Sequence, residues 1–104
     1  MAKLGIGAKH DAGKLRWDLL PLELIEGIVE TLTLGADEYG EKSWQTVPDA
    51  KDRYYAALMR HLREYQSGNK IDKKSGLSHI KHVMANAMFL YYFEKNFVDC
   101  SKKK

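Results

Sequence analysis

The chain has one cysteine, two prolines and no long apolar run in its 104 residues, and each scarcity excludes something. A lone Cys100 makes no internal disulfide and has no second thiol nearby for zinc, so we read it as incidental and consistent with a reducing compartment. The longest apolar stretches, residues 19–24 and 83–93, are broken well short of the ~20 residues that cross a bilayer. No membrane partner is therefore expected. Residues 1–13 are basic and Gly-rich but lack the apolar middle of a secretory signal, which predicts a protein that stays in the cytoplasm.

What is present is the composition of a folded protein, with 44% hydrophobic and 30% charged residues. The length suits one domain with a small core and is too short for two. The net charge of +3 conceals a segregation. Residues 1–18 carry four bases against two acids, residues 19–49 carry seven acids against Lys42 alone, and the remainder carries twelve bases against five acids. A basic excess is compatible with nucleotides, nucleic acid or simple solubility. Aromatic and basic residues interleave only at Arg53, Tyr54, Tyr55 and Arg60, where they already fit a helix, so stable nucleic-acid binding is not expected.

Periodicity predicts three helices and no strand. The first runs from about Leu19, with Pro21 in its first turn, through Leu24, Ile28 and Leu32 to Gly35 or slightly beyond. The second starts near Asp49, a plausible N-cap, and carries Tyr54, Leu58, His61 and Tyr65 until Ser67 and Gly68 stop it. The third begins after Ser75 or Ser78 and continues through Val83, Met84, Met88 and Tyr91 to Phe97. The expected fold is an all-α small bundle of three main helices with two long functional loops. It comprises a basic arm over 1–18, the helical domain over 19–97 and a basic tail over 98–104.

Two polar stripes point to chemistry. Glu23, Glu26 and Glu30, and later His79, His82 and Asn86, share one spacing. At about 100° per residue these offsets fall within an arc of roughly 60°. The glutamates have no Lys or Arg on their helix, and each like-charge pair costs about 0.2–0.5 kcal/mol, so a cation should sit near. Hard divalent ions suit such a carboxylate platform, which Asp37, Glu38 and Glu41 could extend. A solvated acidic face is the plain alternative. In the second stripe two imidazoles and an amide concentrate on an otherwise apolar helix, where each must find a partner. His79 and His82 lack the H-E-x-x-H carboxylate, which favours Mg²⁺ or Mn²⁺ over zinc.

The arm motif Lys9, Asp11, Gly13, Lys14, Arg16 and Asp18 before Leu19, Leu20 and Pro21 adds specificity. So do Gly35, Ala36, Tyr39, Gly40, Trp44, Arg60, His61, Gly68, Asp72, Ser75, Gly76, Leu77, His79, His82 and Asn86. Over roughly residues 9–94 this pattern resembles the phage and bacterial dATP/dGTP diphosphohydrolase family, related to MazG-like all-α nucleotide pyrophosphatases. Arg60 and His61 followed by Asp72 are also similar to a His and Asp metal-phosphohydrolase arrangement. The family resemblance implies Mg²⁺- or Mn²⁺-dependent cleavage of a nucleoside triphosphate, a purine deoxynucleotide (dATP or dGTP), to a monophosphate and pyrophosphate. Glu23 and Glu26 match the first half of the MazG-like signature. In the second half His82 and Asn86 stand where the relatives carry Glu and Asp.

On that basis the expected metal ligands are Glu23, Glu26, Glu38, His82 and Asp72, and Glu30 or Glu38 is the expected general base beside Glu23 and Glu26 in the catalytic set. Lys14, Arg16, Trp44, Arg60, His61, His79 and Asn86 are the expected substrate-binding residues, with Tyr39 a second candidate for stacking on the base. Because the glutamates lie opposite the apolar side of their helix, a monomer would leave that site open to water. The reading therefore includes a homo-oligomer, as the resemblance to relatives that assemble as dimers or tetramers implies. Two other classes are compatible with the residues: a small basic nucleic-acid binder and a phage adaptor without turnover.

Overall fold

A computed structural model describes the backbone of residues 13–102 and the side chains of residues 13–95. Lys9 and Asp11 of the arm motif and the side chain of Cys100 lie outside the described residues. Two single 3-10 turns, Trp17–Leu19 and Leu22–Leu24, precede three helices. We label these α1 (Glu26–Tyr39), α2 (Ala50–Gln66) and α3 (His79–Lys102), with a further 3-10 turn at Ser43–Thr46. The fold is all-α, and among the described residues the only extended pairing is an isolated bridge between Ile71 and Ser78. No helix is long and apolar enough to cross a membrane.

The first helix starts at Glu26 rather than near Leu19. Pro21 excludes a start before it, since a residue before proline is pushed out of the helical region: Leu20 sits at ψ 114 and Pro21 itself is extended at ψ 108, and residues 22–24 then form a separate 3-10 turn. Glu23 therefore occupies a 3-10 turn, and only Glu26 and Glu30 share α1. At the other end α1 runs through Gly35 to Tyr39, and Gly40, with φ 100, ends it by donating its amide to the Ala36 carbonyl. Asp49 does precede α2, but it has left-handed backbone and makes no side-chain capping bond. Ser67 and Gly68 close α2 through amide bonds to the Arg63 and Tyr65 carbonyls, and the Ser78 hydroxyl accepts the Ile80 amide at the start of α3.

Both α1 and α2 pack against α3, α2 more extensively. At the α1–α3 crossing Gly27 is buried, and the Lys81 stem occupies the space where a Cβ would lie. Ala50, Ala85 and Phe89 form the buried apolar centre. Around it, Trp44 stacks on Phe89 at 4.7 Å and meets Tyr92 edge-on at 4.8 Å. Tyr54 also touches Phe89 at 4.7 Å and donates its hydroxyl to the Trp44 carbonyl.

This centre is thin. The Cα radius of gyration is 17.1 Å, against about 13 Å for a compact chain of about 100 residues. Leu15, Trp17, Leu19, Leu22 and Leu24 are all more than three-fifths exposed, and Val29 lies exposed on α1. The bundle is open, with a wide cleft between α1 and α2 floored by α3.

Candidate functional site

The cleft has a volume of ≈ 1470 Å³, larger than the few hundred to about 1,000 Å³ of an ordinary small-molecule site. Its α1 wall presents Asp37, Glu38 and Tyr39, its α2 wall presents Asp52, Arg53 and Arg60, and Lys74 stands at its edge. Acidic and basic groups therefore face one space. Arg53 and Arg60 are one heptad apart, which places them on one side of α2, and neither forms an ion pair with a carboxylate among the described residues. Lys74 lies 3.6 Å from a Glu38 oxygen, donates to the Tyr39 hydroxyl at 3.4 Å, and sits over the Tyr39 ring at 6.0 Å.

At the inner end is a polar cluster built by α2, α3 and the loop joining them. The loop is shaped locally. The Asp72 carboxylate accepts the Ser75 amide, Gly76 turns with φ 78 and donates to the Asp72 carbonyl, and the Asp72 amide bonds the Leu77 carbonyl. Aspartate bonding its own chain a few residues on is the usual reason it nucleates turns. The result points Asp72 and Ser75 at α3. Ser75 Oγ lies 2.7 Å from His82 Nε2, and Asp72 Oδ2 lies 3.6 Å from the same nitrogen. His61 of α2 stacks flat on His82, with centroids 4.3 Å apart and planes at 9°, while its Nδ1 meets His79 Nδ1 at 2.8 Å.

Charge in this cluster is strongly constrained. Burial, with His82 beside it, pushes His61 down to about 4, and His79 and Arg60 act in the same direction against Asp72. Burial also lowers His82, with His79 adding and Asp72 opposing. Burial would raise the Asp72 carboxyl, but Ser75, His82 and His61 together hold it below its ordinary value. Near neutrality His61 and His82 are therefore uncharged and Asp72 is ionised. His79 is 4% exposed, and its Nε2 is buried without a hydrogen-bond partner. An unpaired buried polar atom costs about 1–3 kcal/mol. Asn86, 6% exposed, is fixed by donating to the His82 carbonyl at 2.8 Å.

The expected site residues divide by place. Glu38, Trp44, Arg60, His61, Asp72, His82 and Asn86 all line the cleft, and His79 adjoins it through His61. The structure does not bring Glu23, Glu26 or Glu30 there. Of the three glutamates, Glu30 has a cationic neighbour, Lys81 of α3, whose Nζ bonds it at 2.6 Å. Lys14 and Arg16 also lie outside the cleft lining, and Arg16 forms a fork with Asp18 through bonds of 2.8 and 2.7 Å. Trp44 reaches the cleft, but one face of its ring is covered by Phe89, whereas Tyr39 is exposed. Sequence reasoning treated Ser75 only as a helix cap and so overlooked its bond to His82. The Asp72, Ser75, Gly76 spacing is the signal that carried it.

A family model described as dATP/dGTP diphosphohydrolase, N-terminal, matches residues 5–103. A relative from Salmonella phage PMBT28, described as a dATP/dGTP diphosphohydrolase, is 30% identical over 90 residues, covering 86% of this chain. The chain spans 30% of that relative's own length. No solved structure matches it.

Proposed function

The chain belongs to the dATP/dGTP diphosphohydrolase N-terminal family, and from that premise we propose that it hydrolyses a purine deoxynucleoside triphosphate to the monophosphate and pyrophosphate in the α1–α2 cleft. The observation that carries this reading is the meeting of carboxylates and unpaired guanidinium groups on opposite walls of one cavity.

Arg53, Arg60 and Lys74 bind the triphosphate oxygens, the two arginines through planar forks that match phosphate geometry. Tyr39, exposed at the rim, stacks on the base, with Trp44 bounding the same space. The wall carboxylates Asp37, Glu38 and Asp52 offer oxygen donors, the donor type that a hard divalent ion such as Mg²⁺ or Mn²⁺ prefers. When bound, such an ion neutralises phosphate charge and makes water a better nucleophile. Glu38 accepts the proton of the attacking water at a carboxylate oxygen, and Lys74, 3.6 Å from it, holds that carboxylate in orientation. His82 and Asn86 close the inner end.

The thin core and the exposed leucines of residues 15–24 support assembly into a homo-oligomer, in which those side chains are covered. Glu23 and Glu26 would then reach a cleft only across a contact with a second copy.

The test is to incubate the purified chain with dATP, dGTP, dCTP, dTTP or GTP, with and without Mg²⁺ or Mn²⁺, and to measure pyrophosphate. Release with purine deoxynucleotides that requires the ion is expected. No release from any of the five refutes the reading for this chain.

A further inference from the structure

We propose that His61, Asp72 and His79 form a binding site for a first-row divalent transition ion, distinct from the carboxylate wall at the cleft mouth. One ligand atom from each of the three lies within 4.8 Å of the others. They come from α2, from the turn before α3 and from the first residue of α3, so the fold itself gathers them.

Three features point to an ion. The first is the unpartnered nitrogen of His79. Its Nδ1 faces His61 Nδ1 at 2.8 Å, a hydrogen-bonded contact in which one ring donates and the other accepts. Whichever ring donates, Nε2 of the 4% exposed His79 is left as a stranded donor or a stranded lone pair. A cation bound at His79 Nε2 gives that nitrogen the partner it lacks.

The second is the state of Asp72. Its Oδ2 is occupied by the Ser75 amide and the nearby His82 ring, while Oδ1 accepts no hydrogen bond among the described residues. One oxygen is thus anchored and the other is left to coordinate. His82, bonded to Ser75 Oγ and stacked on His61, steadies two of the three ligands from outside, as partners of metal ligands commonly do.

The third is room. A cavity of ≈ 330 Å³ opens on the same three residues, rimmed by Arg60, Arg63 and Glu64, which is space for the waters that complete a coordination shell. Two imidazoles and one carboxylate suit Mn²⁺, Fe²⁺, Co²⁺, Ni²⁺ or Zn²⁺, whereas Mg²⁺ favours all-oxygen sites. Arg60 and Arg63 disfavour a bare ion and favour one that also carries an anionic ligand on its open side. This inference does not depend on the hydrolase reading.

The test uses untagged, metal-stripped protein titrated with Co²⁺, followed by visible d–d absorbance and by calorimetry. One saturable ion per chain is expected, displaced by Zn²⁺ and unaffected by excess Mg²⁺. Asp72→Asn and His61→Gln should weaken it at least about 100-fold, and His82→Ala about 10- to 100-fold, while Glu26→Gln leaves it unchanged. His79→Ala should abolish it, and circular dichroism identifies any variant that fails to fold. Absence of d–d bands in the wild type, or equal Co²⁺ affinity in folded His61→Gln and Asp72→Asn, overturns the proposal and leaves a hydrogen-bonded histidine pair. Displacement by Mg²⁺ also overturns it.

Discussion

Replacing Gly27 with alanine sets two opposing effects against each other at the α1–α3 crossing. Alanine favours a helix over glycine by about 1 kcal/mol in an interior position, and Gly27 is the second residue of α1, so the gain is at most that. Against it, a Cβ there would lie 2.5 Å from Lys81 Cγ, 3.0 Å from Cδ and 3.2 Å from Cβ. These atoms are the root of the side chain and cannot swing aside as a terminal ammonium could. Overpacking of this kind costs about 1–3 kcal/mol, and displacing the stem also breaks the Lys81–Glu30 pair, worth about 0.2–1 kcal/mol at a partly exposed site. Gly27→Ala should therefore destabilise by about 1–2 kcal/mol, measured by urea unfolding at one fixed protein concentration. In a Lys81→Ala background the Cγ and Cδ obstruction is removed and only the residue-81 Cβ at 3.2 Å remains, so the same change should be near neutral or stabilise by less than about 1 kcal/mol. Stabilisation in the wild type, or simple additivity of the two substitutions, refutes the reasoning.

Glu38→Gln should remove pyrophosphate release, whereas Glu26→Gln, outside the cleft lining, should retain it. Loss of release in Glu26→Gln would show that a neighbouring copy completes the site. Arg53→Ala and Arg60→Ala should each lower kcat/KM for the triphosphate about 10- to 150-fold, the equivalent of one charge-assisted hydrogen bond of about 1.5–3 kcal/mol. Burial raises the Tyr54 hydroxyl above its ordinary value, with Arg53 opposing. A raised folded-state value means that this stability is complete below about pH 10 and is lost as pH climbs through the folded value. Tyr54→Phe should cost about 0.5–1.5 kcal/mol near neutrality by deleting the bond to the Trp44 carbonyl, and urea midpoints across the alkaline range should fall less steeply in this variant than in the wild type.

The three helices were legible because each carries a clear 3.6-residue apolar pattern, and the ends of α2 and the start of α3 followed from Ser67, Gly68 and Ser78. The start of α1 was not. Leu19 to Ile25 keeps a helical pattern through Pro21, but proline holds Leu20 extended, residues 22–24 close as a 3-10 turn, and the α-helix begins only at Glu26. That shift takes Glu23 off the helix. Spacing identified His79, His82 and Asn86 as one polar face, and the structure adds His61 and Asp72 to it. Spacing along one element is local information. The approach of α2 and of the Asp72 turn to α3 is not, nor is the pairing of Glu30 with a lysine 51 positions later.

Trp44 stands where two regions of the molecule touch. Its indole rests on Phe89, which lies one turn beyond Asn86 on α3, and on the edge of Tyr92, and it also lines the cleft. The second indole, Trp17, is 69% exposed and remote from that lining. A Trp17→Phe protein would therefore carry a single tryptophan, whose emission, excited beyond the tyrosine band, responds when the cavity fills. Occupancy becomes readable by light, without a label and without turnover.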